Sequence, residues 1–111
     1  PADALKAYEK ALQLAPAQGD LVAEAARFMR TQKLIKPAYE AVRRALPYNQ
    51  ANPALLKSYV FLCVDQSLFA YAEEGMVQLQ VAAAPADYQA FAVAYQQKIT
   101  AIENVRNAFV Q

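Results

Sequence analysis

Apolar residues return along this chain at intervals of three and four, the spacing of one face of an α-helix. Leu5, Tyr8, Ala11, Leu12 and Ala15 form the first such face, in a helix expected over Ala2–Leu14 that Pro16 and Gly19 close. Asp20 stands where a cap for the next helix is expected. That helix runs to about Thr31 and carries Val22, Ala25, Ala26 and Met29 on one side. A short turn near Gln32 and Lys33 leads into a helix over about 36–46, with Pro37 tolerated in its first turn. The stretch from Pro47 to Pro53 breaks the pattern. Asn52 is the expected N-cap and Pro53 the first residue of a helix to about Gln66, burying some combination of Leu56, Tyr59, Val60 and Cys63.

The partner of that helix is expected over about 69–81, in spite of Gly75 in its interior. An exposed helical glycine costs about 1 kcal/mol relative to alanine. Gly75 therefore reads either as a site of close helix crossing or as a tolerated surface residue. From Asp87 to about Phe109 there is no proline or glycine, and Phe91, Tyr95, Ile102, Val105 and Phe109 recur on one side. One long helix is the simplest expectation, and a turn near Thr100 and Ala101 is the alternative. A buried Phe109 would cap this helix, and Phe109→Ala would then cost about 3–5 kcal/mol.

These elements repeat. Ala4, Ala38 and Ala72 are spaced by 34 residues, as are Tyr8, Val42 and Met76, and Ala11, Ala45 and Leu79. A self-similarity of this length signals stacked helical hairpins, each burying a face against the next. The expected fold is all-α: a half-repeat over 1–18, repeats over 19–52 and 53–86, and a terminal or capping helix over 87–111. The period decays toward the C-terminus, where Arg106 stands 34 residues after Ala72.

The segment Ala4-Leu5-Lys6-Ala7-Tyr8-Glu9-Lys10-Ala11-Leu12-Gln13-Leu14-Ala15-Pro16 resembles the second helix of a tetratricopeptide repeat with its closing proline. Val22, Ala25, Ala26 and Met29, followed by Ala38, Val42 and Ala45, resemble a full unit of that family. Leu56, Tyr59, Val60 and Cys63, followed by Phe69, Ala72, Met76 and Leu79, resemble the next. A further first helix offers Ala90, Val93, Ala94 and Gln97. The units depart from the family pattern. Its leucine and glycine on the first helix are replaced by Ala25-Ala26 and Tyr59-Val60, and its closing proline by Gln50 and Ala84. Tyr59 and Val60 are expected to widen the helix separation in their hairpin.

The resemblance implies a short right-handed solenoid whose first helices line a concave groove. At the family's groove positions this chain carries Ala23, Arg27 and Arg30, then Lys57, Phe61 and Val64, then Tyr88, Phe91 and Tyr95. Such a wall would suit a protein or peptide with acidic and apolar residues. Phe91 and Tyr95 have an alternative reading as residues packed beneath the terminal helix. Some members of the family clamp a chaperone's C-terminal carboxylate. The matching positions here are Ala23, Arg27, Ser58, Tyr88 and Ala92, and only Arg27 supplies charge, so that role does not carry over.

Composition narrows the chemistry. The formal charge is +1, too small to suggest bulk attraction to nucleic acid or an anionic membrane. Arg27, Arg30, Lys33, Lys36, Arg43 and Arg44 form a basic run interrupted by Glu40, spread over two helices. No apolar run is long enough to cross a bilayer. The chain has no histidine, no Gly-rich phosphate loop and no metal-ligand spacing, so no cofactor or metal is expected. Glu73 and Glu74 are adjacent on a helix and point apart. Cys63, the one cysteine, sits between Leu62 and Val64 and reads as a small buried hydrophobe. The segment is thus expected to be a non-catalytic interaction module of a longer protein. Two alternatives stand beside it: a spacer or self-association segment stacking through an exposed terminal helix, and a regulatory domain attached to an enzyme outside this range.

Overall fold

The computed structural model describes Lys6, Lys10 and residues 18–110, and their architecture is all-α. The elements are α1 (Gly19–Thr31), α2 (Ile35–Ala45), a 3-10 turn (Leu46–Tyr48), α3 (Pro53–Asp65), α4 (Phe69–Ala82) and α5 (Pro85–Val110). The half-repeat expected over 1–18, with Leu5, Tyr8 and Leu12 on its apolar face, lies outside the described residues apart from Gln18, Lys6 and Lys10. Among the described residues no helix is long and apolar enough to cross a membrane.

α1 packs on α2 and α3 packs on α4, while α3 also touches α1, α2 and α5. The core is one continuous cluster from Val22 to Tyr95. Met29, Leu55, Leu56, Leu62 and Leu79 are its largest fully buried side chains. Each contributes about 1.5–3 kcal/mol by leaving water.

The sequence period is also a backbone period. α1 and α3 begin at Gly19 and Pro53 and end at Thr31 and Asp65, and α2 and α4 begin at Ile35 and Phe69. The turns between them match in detail. Lys33 and Ser67 are left-handed, with φ of 65° and 62°. The Leu34 N–H donates to Met29 O at 2.9 Å and the Lys33 N–H to Arg30 O at 3.0 Å. One unit later, the Leu68 N–H donates to Cys63 O at 2.8 Å and the Ser67 N–H to Val64 O at 3.0 Å. These are the paired bonds of the Schellman motif, which satisfy carbonyls that a helix end leaves open. Leu34 and Leu68 follow the left-handed residue in each turn and pack partly buried against the core. Two hydrogen bonds and a seated leucine hold Lys33 and Ser67 where glycine is usual.

The third unit departs from this plan. α5 begins at Pro85, two residues ahead of the expected start, and Ala101, which stands 34 residues after Ser67, continues the helix without a turn. Residues 101–109 are all exposed. Phe109 is 87% exposed, so the expected C-terminal packing of its ring is overturned: α5 overruns the hairpin beside it, and among the described residues no second helix packs there.

Two polar details correct or sharpen the sequence reading. Asp20 does not cap α1. Gln18 occupies the cap position without a side-chain bond, and Asp20 lies within the first turn, where a carboxylate is favourable. Asn52 does cap α3, accepting from the Leu55 N–H at 3.0 Å, and its Nδ2 donates to Asp20 Oδ1 at 3.0 Å. Asn49 joins the same corner: its Oδ1 accepts from the Gly19 N–H at 3.1 Å and its Nδ2 donates to Ala45 O at 2.9 Å. A methyl group on Gly19 would stand 2.6 Å from Asn52 Nδ2 and 2.8 Å from Asn49 Oδ1, so a larger residue would push these two side chains away from the junction of α1, α2 and α3.

Gly75 is a site of close crossing. A methyl group there would lie 2.8 Å from Val60 Cγ2 and 3.1 Å from Tyr59 Cδ2. Tyr59 and Val60 pack into the space left by the missing Cβ of Gly75. Where α3 carries Tyr59 and Val60, α1 carries Ala25 and Ala26, and there the residue aligned with Gly75 is Ala41. Gly75→Ala is therefore expected to lower stability by about 1 kcal/mol, because crowding a stiff, fully buried valine outweighs the gain in helix propensity. Urea denaturation measures this, and a stabilised variant would show that α4 has room to shift. Phe109→Ala is expected to move the same transition by less than about 0.5 kcal/mol, as for a surface substitution.

Candidate functional site

An open groove of about 930 Å³ runs along the side of the molecule lined by α1, α3, the start of α5 and the linker before α3. Arg27, Arg30, Lys57, Phe61 and Phe91 all line it. Helical spacing brings them together. Arg27 and Arg30 are one turn apart on α1, Lys57 and Phe61 one turn apart on α3, and Asp87 and Phe91 one turn apart on α5.

The centre of the site is the pair Phe61 and Phe91, with ring centroids 4.8 Å apart and planes inclined by 30°. Arg30 and Lys98 each lie 5.5 Å from the Phe61 centroid, and Lys57 lies 5.9 Å from that of Phe91. Cations over aromatic faces are worth about 0.5–1 kcal/mol at exposed sites. Two carboxylates tie these cations down. Arg30 Nε donates to Asp65 Oδ2 at 2.8 Å, Lys98 Nζ pairs with Asp65 Oδ1 at 3.2 Å, and Lys57 Nζ donates to Asp87 Oδ1 at 2.7 Å. Arg27 is exposed and makes no ion pair among the described residues.

The remaining expected groove residues are placed elsewhere. Tyr95 is only 6% exposed and points into α4, where its hydroxyl donates to Glu73 at 2.8 Å. Ala23 and Val64 are buried, and Tyr88 is half-buried against the core. Sequence reasoning missed Lys98, Asp65 and Asp87. The family pattern carries no signal for them, but Asp65 lies one turn after Phe61, Asp87 one turn before Phe91 and Lys98 two turns after it.

The basic run does not form one surface. Arg30 faces the groove, whereas Arg43 lies 5.7 Å from the Tyr39 ring on the other side of α3. Tyr39 stacks on Tyr59 there, with centroids 6.0 Å apart, and Cys63 neighbours Tyr59. Burial first, and then the neighbouring Cys63, raises the Tyr59 hydroxyl well above its usual range. Burial also raises the Cys63 thiol, which is fully enclosed and keeps its proton. Among the described residues no group of three or more side chains is arranged to hold a metal ion.

Burial, and after it the bond to Glu73, pushes the Tyr95 hydroxyl up to about 12 from the usual 10.0. Below pH 10.0 both folded and unfolded chains keep this proton, so the contribution to stability is complete there. Between pH 10.0 and about 12 the unfolded chain releases it first and stability falls as pH rises. Tyr39 and Tyr59 act with the same sign. Tyr95→Phe is therefore expected to flatten the loss of urea stability across this window; parallel losses in the two proteins would mean that Tyr95 titrates normally.

No family model, curated protein or solved structure matches this chain.

Proposed function

We propose that this chain is a non-catalytic protein-interaction module of the tetratricopeptide-like kind, a short right-handed stack of helical hairpins that holds an extended peptide in the α1–α3–α5 groove. The observation that carries the reading is the partly buried Phe61–Phe91 pair, set among Arg30, Lys57 and Lys98 in a groove that Arg27 also lines. Aromatic surface ringed by charge offers an apolar anchor point with polar steering around it. The matched turns at Lys33 and Ser67 support the repeat assignment, since they make the 34-residue period a property of the backbone as well as of the sequence. A groove built on helix faces is rigid and needs no closure to bind.

The test is selection of peptides from a random library displayed on phage, with the whole chain as bait. Recovered peptides are expected to lose at least tenfold in affinity for Phe61→Ala, a loss of about 1.4 kcal/mol. Circular dichroism must first show the variant to be as helical as the parent. Failure to recover peptides, or recovery of peptides indifferent to Phe61→Ala, would remove the groove as the binding surface. A second reading rests on the α5 overrun, where Ile102, Val105 and Phe109 are exposed at helical spacing: the segment would then stack on neighbouring structure or on another copy. Sedimentation of the chain over a range of concentrations separates the two.

A further inference from the structure

Resting on the peptide-binding reading, we infer that the groove selects an acidic and an apolar residue two positions apart, and that Asp87 is an internal carboxylate which the ligand's acidic side chain displaces from Lys57. The four cations of the groove are not equivalent. Arg30 and Lys98 share Asp65, Arg30 through both oxygens and Lys98 through Oδ1, and this carboxylate is only 16% exposed, so the cluster is held tightly. Lys57 is held differently, by one oxygen of Asp87, and both side chains stay open to solvent at 30% and 45% exposure. Arg27 lines the same groove and has no carboxylate partner among the described residues. Lys57, with one exposed carboxylate contact, and Arg27, with none among the described residues, are thus the groove cations least held in place.

An exposed single-oxygen pair contributes little to stability, so an arriving carboxylate exchanges with Asp87 at small cost and gains Arg27 as a second partner. The apolar contact lies one helical turn away. Lys57 and Phe61 are four residues apart on α3, which separates them by about 6 Å along the helix axis. An extended peptide rises about 3.3 Å per residue and presents alternate side chains to the same side, so two residues of it span that distance. The acidic side chain then meets Lys57 and Arg27 while the apolar one lies against Phe61 and Phe91.

The decisive experiment takes peptides recovered from the displayed library and measures their affinities, by fluorescence anisotropy at low and high salt, for the unaltered chain, Asp87→Asn and Arg27→Ala. Recovered peptides are expected to share an acidic and an apolar residue two positions apart, in one constant order. Asp87→Asn, which frees Lys57, is expected to tighten binding about three- to fivefold, and Arg27→Ala to weaken it by a similar factor, both effects shrinking in high salt. Peptides that need Phe61 yet carry no acidic residue, or affinities unmoved by Asp87→Asn, would overturn the inference and leave the groove reading in place. If no recovered peptide depends on Phe61, the groove reading itself falls. A single-stranded oligonucleotide that displaces the peptides at equal concentration would also overturn the inference, because the site would then be a general polyanion surface.

Discussion

The packing of Gly75 against Tyr59 and Val60 is the constraint from which the rest of the described structure follows. Helices approach only as closely as the side chains between them allow. In the first hairpin the available side chains are small, with Ala25, Ala26, Ala38 and Ala41 buried together. In the second, α3 brings a tyrosine and a valine to positions where α1 has two alanines, and α4 answers with a residue that has no side chain. That exchange of volume settles the rotation of α3. With Tyr59 turned toward Tyr39 and α4, Lys57 and Phe61 are carried to the opposite side, where the groove forms. α4 in turn holds α5 through Glu73 and Tyr95, and α5 delivers Phe91 and Asp87 to the same groove.

The two sides of α3 consequently have different characters. On one, Tyr39, Tyr59 and Cys63 form a protonated, neutral cluster whose hydroxyls and thiol are all raised by burial. Neutral groups held away from water in this way serve packing and satisfy one another. On the other, Arg30, Lys57, Lys98, Asp65 and Asp87 form ion pairs around two partly buried rings. Charge and apolar surface that share a wet groove favour recognition over stability, because pairs of this kind add little to folding yet steer a ligand and fix its register.

The helix pattern, the 34-residue period and the caps at Asn52 and Pro53 were legible in the chain because each depends on near neighbours: spacing on one face, a side chain within reach of its own backbone, a proline that fits only a first turn. Five of the expected groove residues were legible for the same reason, since a period transfers a face from one hairpin to the next. Tertiary structure decided what periodicity cannot express. Tyr95 and Phe91 lie on one stripe of α5, yet Tyr95 is enclosed by α4 and Phe91 is open to the groove, because α4 covers only one flank of that helix. Phe109 shares the stripe and stays 87% exposed, because α5 extends past the other described helices. Lys98 and Asp65 become a site only through the meeting of α1, α3 and α5, residues distant in sequence whose charges are neighbours in space. The sequence by itself determined which residues share a helical face; the packing of helix on helix decided which of those faces are covered.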